Sequence, residues 1–168
     1  MEATLQVLNE LEREGVLGRY AIGGAVAAIF YMEPFATFDL DVFVVLPSTG
    51  LLVTLEPLYD ALKKRGYSSD KECVLIEGVP VQFLPAYNAL VEEALMAAQE
   101  TQLGQTGTRV LSPEYLAAIM VQTGRSKDRQ RLTAFLEQAT FDKSKLGTIL
   151  KSYHLQERFD SWTLPLNS

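Results

Sequence analysis

Apolar residues recur at helical spacing near the start of the chain. Leu5, Leu8 and Leu11 fall near one face, while Glu10, Glu12, Arg13 and Glu14 fall elsewhere. This predicts an amphipathic helix over residues 4–14, stopped by Gly15. Tyr20-Ala21-Ile22 is a short apolar run ended by Gly23-Gly24, and residues 25–32 suit a buried helix broken by Pro34. Residues 39–46 alternate as a strand: Leu40, Val42 and Val44 point one way, Asp39, Asp41, Phe43 and Val45 the other. Pro47-Ser48-Thr49-Gly50 reads as a loop, and residues 55–65 as a second amphipathic helix closed by Gly66. Residues 72–76 and 81–84 read as strands of a hairpin joined at Gly78, residues 87–98 as a helix, and residues 108–111 as a short strand.

The pattern then turns helical. Ser112-Pro113-Glu114 is a strong helix start, with Ser as N-cap and Pro at the first helical position. That helix is expected to run to about residue 122, with others over 127–138 and 143–153, and an irregular tail from Asp160 through Pro165. The chain therefore divides into an α/β part, residues 1–111, and a helical part, residues 112–168. No Gly-, Ser- or Pro-rich linker separates them and no repeat is present, which predicts one compact unit carrying a helical subdomain.

Bulk properties narrow the function classes. With 168 residues, 48% hydrophobic and 21% charged, the chain can bury an ordinary core, and disorder or a fibrous repeat is excluded. Cys73 is the only cysteine, so an internal disulfide and a Cys-based zinc site are both excluded, and its neighbours Val74, Leu75 and Ile76 place it on a strand. The start Met1-Glu2-Ala3-Thr4 has no basic region of a signal peptide. The longest apolar run, residues 20–32, falls short of the ~20 residues that span a bilayer. A soluble, cytoplasmic protein without a membrane segment is expected. His154 is the only histidine, which excludes a His-rich metal site and fits a helix C-terminus or the surface. Neither a Gly-x-Ser-x-Gly elbow nor a Walker A loop occurs.

The net charge of −6 is uneven, being −9 over residues 1–108 and +3 over residues 109–168. An acidic protein has no general attraction to nucleic acid. The cluster Arg125, Lys127, Arg129 and Arg131 has two readings: a grip on the phosphates of an NTP or on an RNA 3′ end, or a solvated helix face.

Candidate chemistry concentrates in two places. Asp39 and Asp41 stand two apart on a strand, so both carboxylates leave the same face. Two such charges in a partly buried place raise each other's pKa or require a cation, and Mg²⁺ is the usual hard ion beside phosphates. Upstream, Gly23-Gly24 ends a strand and opens a helix, where backbone N–H groups approach an anion closely. A phosphate cradle beside a carboxylate pair suits phosphoryl or nucleotidyl transfer.

The run Ile22-Gly23-Gly24, followed by Thr37-Phe38-Asp39-Leu40-Asp41-Val42-Phe43-Val44, resembles the signature of the DNA polymerase β-like nucleotidyltransferase superfamily. It is most similar to the minimal nucleotidyltransferases and the abortive-infection (AbiEii-like) toxins. The resemblance extends to Gly124-Arg125-Ser126-Lys127-Asp128, which looks like the Arg-x-Lys-Asp motif of their helical part. It implies an α/β (α+β) fold, a mixed sheet flanked by helices with a C-terminal helical subdomain. It implies Mg²⁺-dependent transfer of an NMP from an NTP to a hydroxyl acceptor, such as a tRNA 3′ end or a protein, and a toxin-like member would have an antitoxin partner. On this likeness Gly23, Gly24, Thr37, Gln82, Arg125 and Asp128 belong to the nucleotide site. Asp39 and Asp41 hold metal, Lys127 neutralises phosphate charge, and Asp128 braces the helix or holds Lys127 in place.

The match departs from the family at Gln82, which stands where a third carboxylate is expected. An amide ligates Mg²⁺ weakly and cannot act as a base. Two readings follow: a transferase with one firm metal site or a relocated base, or a degenerate member that binds nucleotide or a protein partner without turnover.

Overall fold

The protein is described by a computed structural model, which covers residues 1–33, 37, 39–46 and 54–163. The expected break at Pro34, the loop 47–50 and the end of the tail around Pro165 lie outside the described residues. Among the described residues seven strands form one mixed sheet: β1 (Tyr20–Ile22), β2 (Leu40–Val44), β3 (Ser68–Asp70), β4 (Cys73–Ile76), β5 (Val79–Pro85), β6 (Gln99–Leu103) and β7 (Thr106–Val110). Their spatial order is β3-β4-β5-β2-β1-β7-β6. The β1–β7 and β2–β5 pairs are parallel and the others antiparallel.

The register sorts side chains onto two faces. Leu40 lies opposite Val81 and Val42 opposite both Ile22 and Phe83, which makes one fully apolar face. Helix α1 (Glu2–Arg13) covers it with Leu5, Leu8 and Leu11, and is fixed by Thr4 Oγ1 donating to the Ile76 carbonyl at 3.2 Å. Helix α3 (Glu56–Lys64) covers it with Leu58 and Leu62, and Tyr59 sets its ring edge-on to Phe83. The other face carries Asp41, Phe43, Gln82 and Leu84 and borders a pocket. Helices α2 (Gly24–Ala28) and α5 (Pro113–Thr123) wall that pocket.

The remaining helices are α4 (Ala89–Met96), α6 (Ser126–Gln138), α7 (Lys143–Ser152) and α8 (Gln156–Thr163). No helix among the described residues is long and apolar enough to cross a membrane.

Several expectations are corrected. The helix expected over 25–32 keeps only Gly24–Ala28 as α-helix, with turns after it. The tail expected to be irregular from Asp160 is helical through Thr163, with Phe159 and Trp162 packed on the core. Strands β3 and β6 were not expected, because both are polar edge strands without apolar alternation. Ser112 starts α5 without capping it: its hydroxyl donates to Glu114 Oε2 at 2.7 Å.

Glu114 joins α5 to α7. Its carboxylate is 5% exposed and also accepts the Asp142 amide at 2.9 Å and the Lys145 ammonium at 3.1 Å. Burial alone would raise this carboxyl, but the Asp142 amide, the Ser112 hydroxyl and Lys145 together outweigh it and hold it below the usual range. Its stabilisation is therefore present above the unfolded pKa and is lost as pH falls through the depressed folded value. Glu114→Ala is expected to cost about 3 kcal/mol in urea unfolding at pH 7, since it orphans buried partners. Lys145→Ala, whose ammonium is near solvent, should cost only about 1 kcal/mol. Equal losses would contradict this account.

Candidate active site

The site is built around an approach that only glycine permits. Gly24 sits at φ +55, and a Cβ placed there would lie 1.8 Å from Asp41 Oδ2. Gly23 has a different constraint: its Cβ would lie 2.2 Å from the Phe43 ring. The glycine pair thus lets β1 turn into α2 directly over the β2 side chains. Gly23 N–H donates to the Asp41 carbonyl at 2.9 Å. That group is spent on the sheet, and Gly23 does not reach the pocket wall, whereas Gly24 does. The expectation that both glycines contact phosphates is therefore corrected for Gly23. With α2 only five residues long, its dipole is also a small contribution.

Asp41 lies on the floor of a pocket of about 650 Å³, with Asp39 at its edge just before β2. Burial, and then the neighbouring Asp39 charge, push the Asp41 carboxyl up to about 6. Arg125, Lys127 and Arg131 pull it back down from the opposite wall. The sequence-predicted pair and the basic cluster, more than eighty residues apart in the chain, thus face each other across one cavity. Arg129 is not part of that wall.

Gln82 is the register partner of Asp41 and lines the same pocket. Its Nε2 donates to Glu72 Oε2 at 3.1 Å. A carboxylate only accepts, so this bond fixes the amide orientation and leaves Oε1 to face a cation. Glu72, in the turn before β4, escaped the sequence reading because nothing in a polar turn marks it for a neighbouring strand. Cys73 follows it. Burial, then Asp39, Asp41, Glu72 and Asp70, raise the thiol, so it stays protonated and structural.

The remaining residues from the sequence divide. Asp128 is 3% exposed and holds Arg125, not Lys127, through bonds of 2.7 Å from Nε and 3.1 Å from Nη2. Arg125 therefore enters the pocket as a braced guanidinium with its charge partly balanced. Lys127 lines the pocket and has no ion pair among the described residues. Thr37 does not line the pocket; its hydroxyl makes a long 3.4 Å contact to the Asp39 carbonyl.

Among the described residues no group of three His, Cys, Asp or Glu side chains is gathered to hold a metal. The donors present, two carboxylates and one carboxamide oxygen, are hard ligands that suit one Mg²⁺ completed by water and phosphate oxygens. A buried acid with a raised pKa is the local sign that a cation is wanted.

No family model and no curated protein matches the sequence. The fold does match solved structures. A nucleotidyltransferase-like antigenic protein from Paracoccidioides brasiliensis aligns over 95% of this chain and 92% of its own, with TM-score 0.56 and 16% identity. The antibiotic-resistance factor ANT(2'')-Ia aligns over 94% of this chain and 95% of its own, with TM-score 0.55 and 12% identity. At such identities the likeness is one of fold: the mixed α/β fold of nucleotidyltransferase-like proteins.

Because the folded pKa of Asp41 is raised, its effect on stability runs opposite to that of Glu114. Folding is favoured below the unfolded pKa, and this advantage is lost as pH rises through about 6. Asp41→Asn is therefore expected to stabilise the protein by about 2 kcal/mol at pH 8, with the gain vanishing near pH 4. Urea unfolding at the two pH values measures it. A destabilised Asn variant at pH 8 would mean that the carboxylate is held by favourable contacts instead.

Proposed function

We propose that this chain is a Mg²⁺-dependent nucleotidyltransferase that moves an NMP from an NTP to a hydroxyl acceptor. The observation that carries this reading is the opposition of Asp41, buried beside Asp39, to Lys127, Arg125 and Arg131 across one pocket. A triphosphate with its cation needs those two charges on facing walls.

In the reaction, the acceptor oxygen forms a bond to the α-phosphorus and loses its proton. The bond from that phosphorus to the bridging β-phosphate oxygen breaks, and pyrophosphate leaves with the electron pair. Bound Mg²⁺ would screen phosphate charge and polarise the P–O bonds. Asp39 and Asp41 would hold it, with Gln82 Oε1 as a neutral third ligand. Lys127 and Arg131 draw the β- and γ-phosphates, and Arg125, aimed by Asp128, fixes their direction. Gln82 cannot take the acceptor proton. Glu72, the carboxylate it contacts, does not line the pocket, so in this reading the acceptor proton leaves to solvent water.

A second reading has one specific observation in its favour: Gln82 in place of a carboxylate fits a protein that binds nucleotide without turnover.

Calorimetric titration of each NTP, with and without Mg²⁺, tests the proposal. Binding should require Mg²⁺ and disappear in Asp39→Ala/Asp41→Ala. Lys127→Ala should weaken it about tenfold. Affinity should fall as pH drops below about 6, where Asp41 takes up a proton. Absence of binding by every NTP would end the proposal. Gln82→Glu, which adds a carboxylate, should tighten Mg²⁺ binding about tenfold. Tight binding without pyrophosphate release in either form would favour the second reading.

A further inference from the structure

Seven tyrosines occur in the chain, and six have an evident structural use. Tyr20 bonds Asn9 and carries Arg109 over its ring. Tyr31 bonds Gln99 and packs on Phe135, and Tyr59 packs on Phe83. Tyr67 bonds Glu77, while Tyr115 and Tyr153 both bond Glu93. Tyr87 differs. It is 58% exposed, and among the described residues its hydroxyl has no hydrogen-bond partner and its ring no stacking partner. Yet it lines the same pocket as Asp41 and Gln82.

Its backbone is held from both sides. Ala86 N–H donates to the Val44 carbonyl at 2.9 Å, which extends the β5–β2 pairing. Asn88 caps α4 by accepting from Val91 N at 3.0 Å, and its Nδ2 donates to Gln122 Oε1 at 2.7 Å. Tyr87 thus projects from a two-sided anchor that also ties the sheet to the last turn of α5. Leu84 and Met120, both apolar, line the same pocket, and Arg125 lies within electrostatic reach of Tyr87.

The pocket therefore combines carboxylates, a group of cations and, within electrostatic reach of Arg125, an aromatic ring without a stacking partner among the described residues. A nucleoside triphosphate with its cation brings the matching chemistry: a metal ion, phosphates and a planar base. We propose that Tyr87 is the stacking platform for the nucleobase of the NTP, with Met120 and Leu84 excluding water around it. This inference rests on the nucleotidyltransferase reading and adds the residue that grips the base. Stacking on one face selects bases over no base and discriminates weakly among bases.

The test compares ATP with inorganic tripolyphosphate, each titrated calorimetrically with Mg²⁺ into wild type, Tyr87→Ala and Tyr87→Phe. Because Tyr87 is exposed, both variants should fold, which circular dichroism verifies. Tyr87→Ala should weaken ATP about tenfold while leaving tripolyphosphate unchanged, and Tyr87→Phe should bind ATP like wild type. Unchanged ATP affinity in Tyr87→Ala, with tripolyphosphate still bound, would overturn the stacking role and leave the nucleotidyltransferase reading standing. Equal weakening of both ligands would also overturn it. Failure of wild type to bind either ligand would overturn both.

Discussion

The close approach of the Gly24 backbone to the Asp41 carboxylate is the constraint on which the site depends. Asp41 Oδ2 occupies the space that a Cβ at position 24 would need, at a backbone φ that side-chain-bearing residues rarely adopt. Because the chain can turn there, α2 lies over β2 and closes one side of the pocket. Because α2 lies there, Asp41 is removed from water and its pKa rises. The carboxylate is thereby kept at a cost, and that cost is lowered by the cations on the facing helix.

Those cations are delivered by a second set of contacts. Helix α5 ends at Gly124, which takes a left-handed conformation and turns the chain into α6. Arg158 from α8 donates to the Val121 and Gln122 carbonyls at the end of α5, and Asn88 holds Gln122 from the sheet side. At the other end of α5, Glu114 joins α7. Fixed at both ends, α5 forms one wall of the pocket and leads through Gly124 into α6, whose first turns present Arg125, Lys127 and Arg131. The helical part thus supplies the cations that line the pocket.

Much of this was legible in the sequence, and the exceptions share a cause. Alternation over residues 40–44 marked β2 and both its faces, and Asp39 and Asp41 could be assigned to one site because strand periodicity fixes which side chains share a face. Glycine at 23 and 24 announced a special backbone, though not that Gly23 N–H belongs to the sheet. What stayed hidden depends on contacts distant in sequence. Polar β3 and β6 are strands because a neighbour pairs with them, not because of an apolar pattern. The partner of Asp128 proved to be Arg125 at i−3, a choice between two adjacent cations that helical geometry decides and spacing alone did not. Tyr87 joins the pocket, and Glu72 touches it only through Gln82, by register and turn geometry, for which a single sequence carries no periodic signal.

The amide at position 82 follows from the same electrostatics. A third carboxylate beside Asp41 would place another like charge against a group whose pKa is already near 6, in a pocket whose facing cations only partly compensate. With Gln82 the pocket gains no third carboxylate beside Asp39 and Asp41, whose charged neighbours include Arg125, Lys127 and Arg131. On the proposed reading, the expected consequence is weak affinity for a lone metal ion. A Mg²⁺ ion brought in by a triphosphate meets the carboxylates with its phosphate ligands already attached, so cation and nucleotide stabilise each other's binding. On the proposed nucleotidyltransferase reading, an amide at this position would leave metal recruitment to the substrate, and nucleotide recognition to the pocket cations and to whatever grips the base.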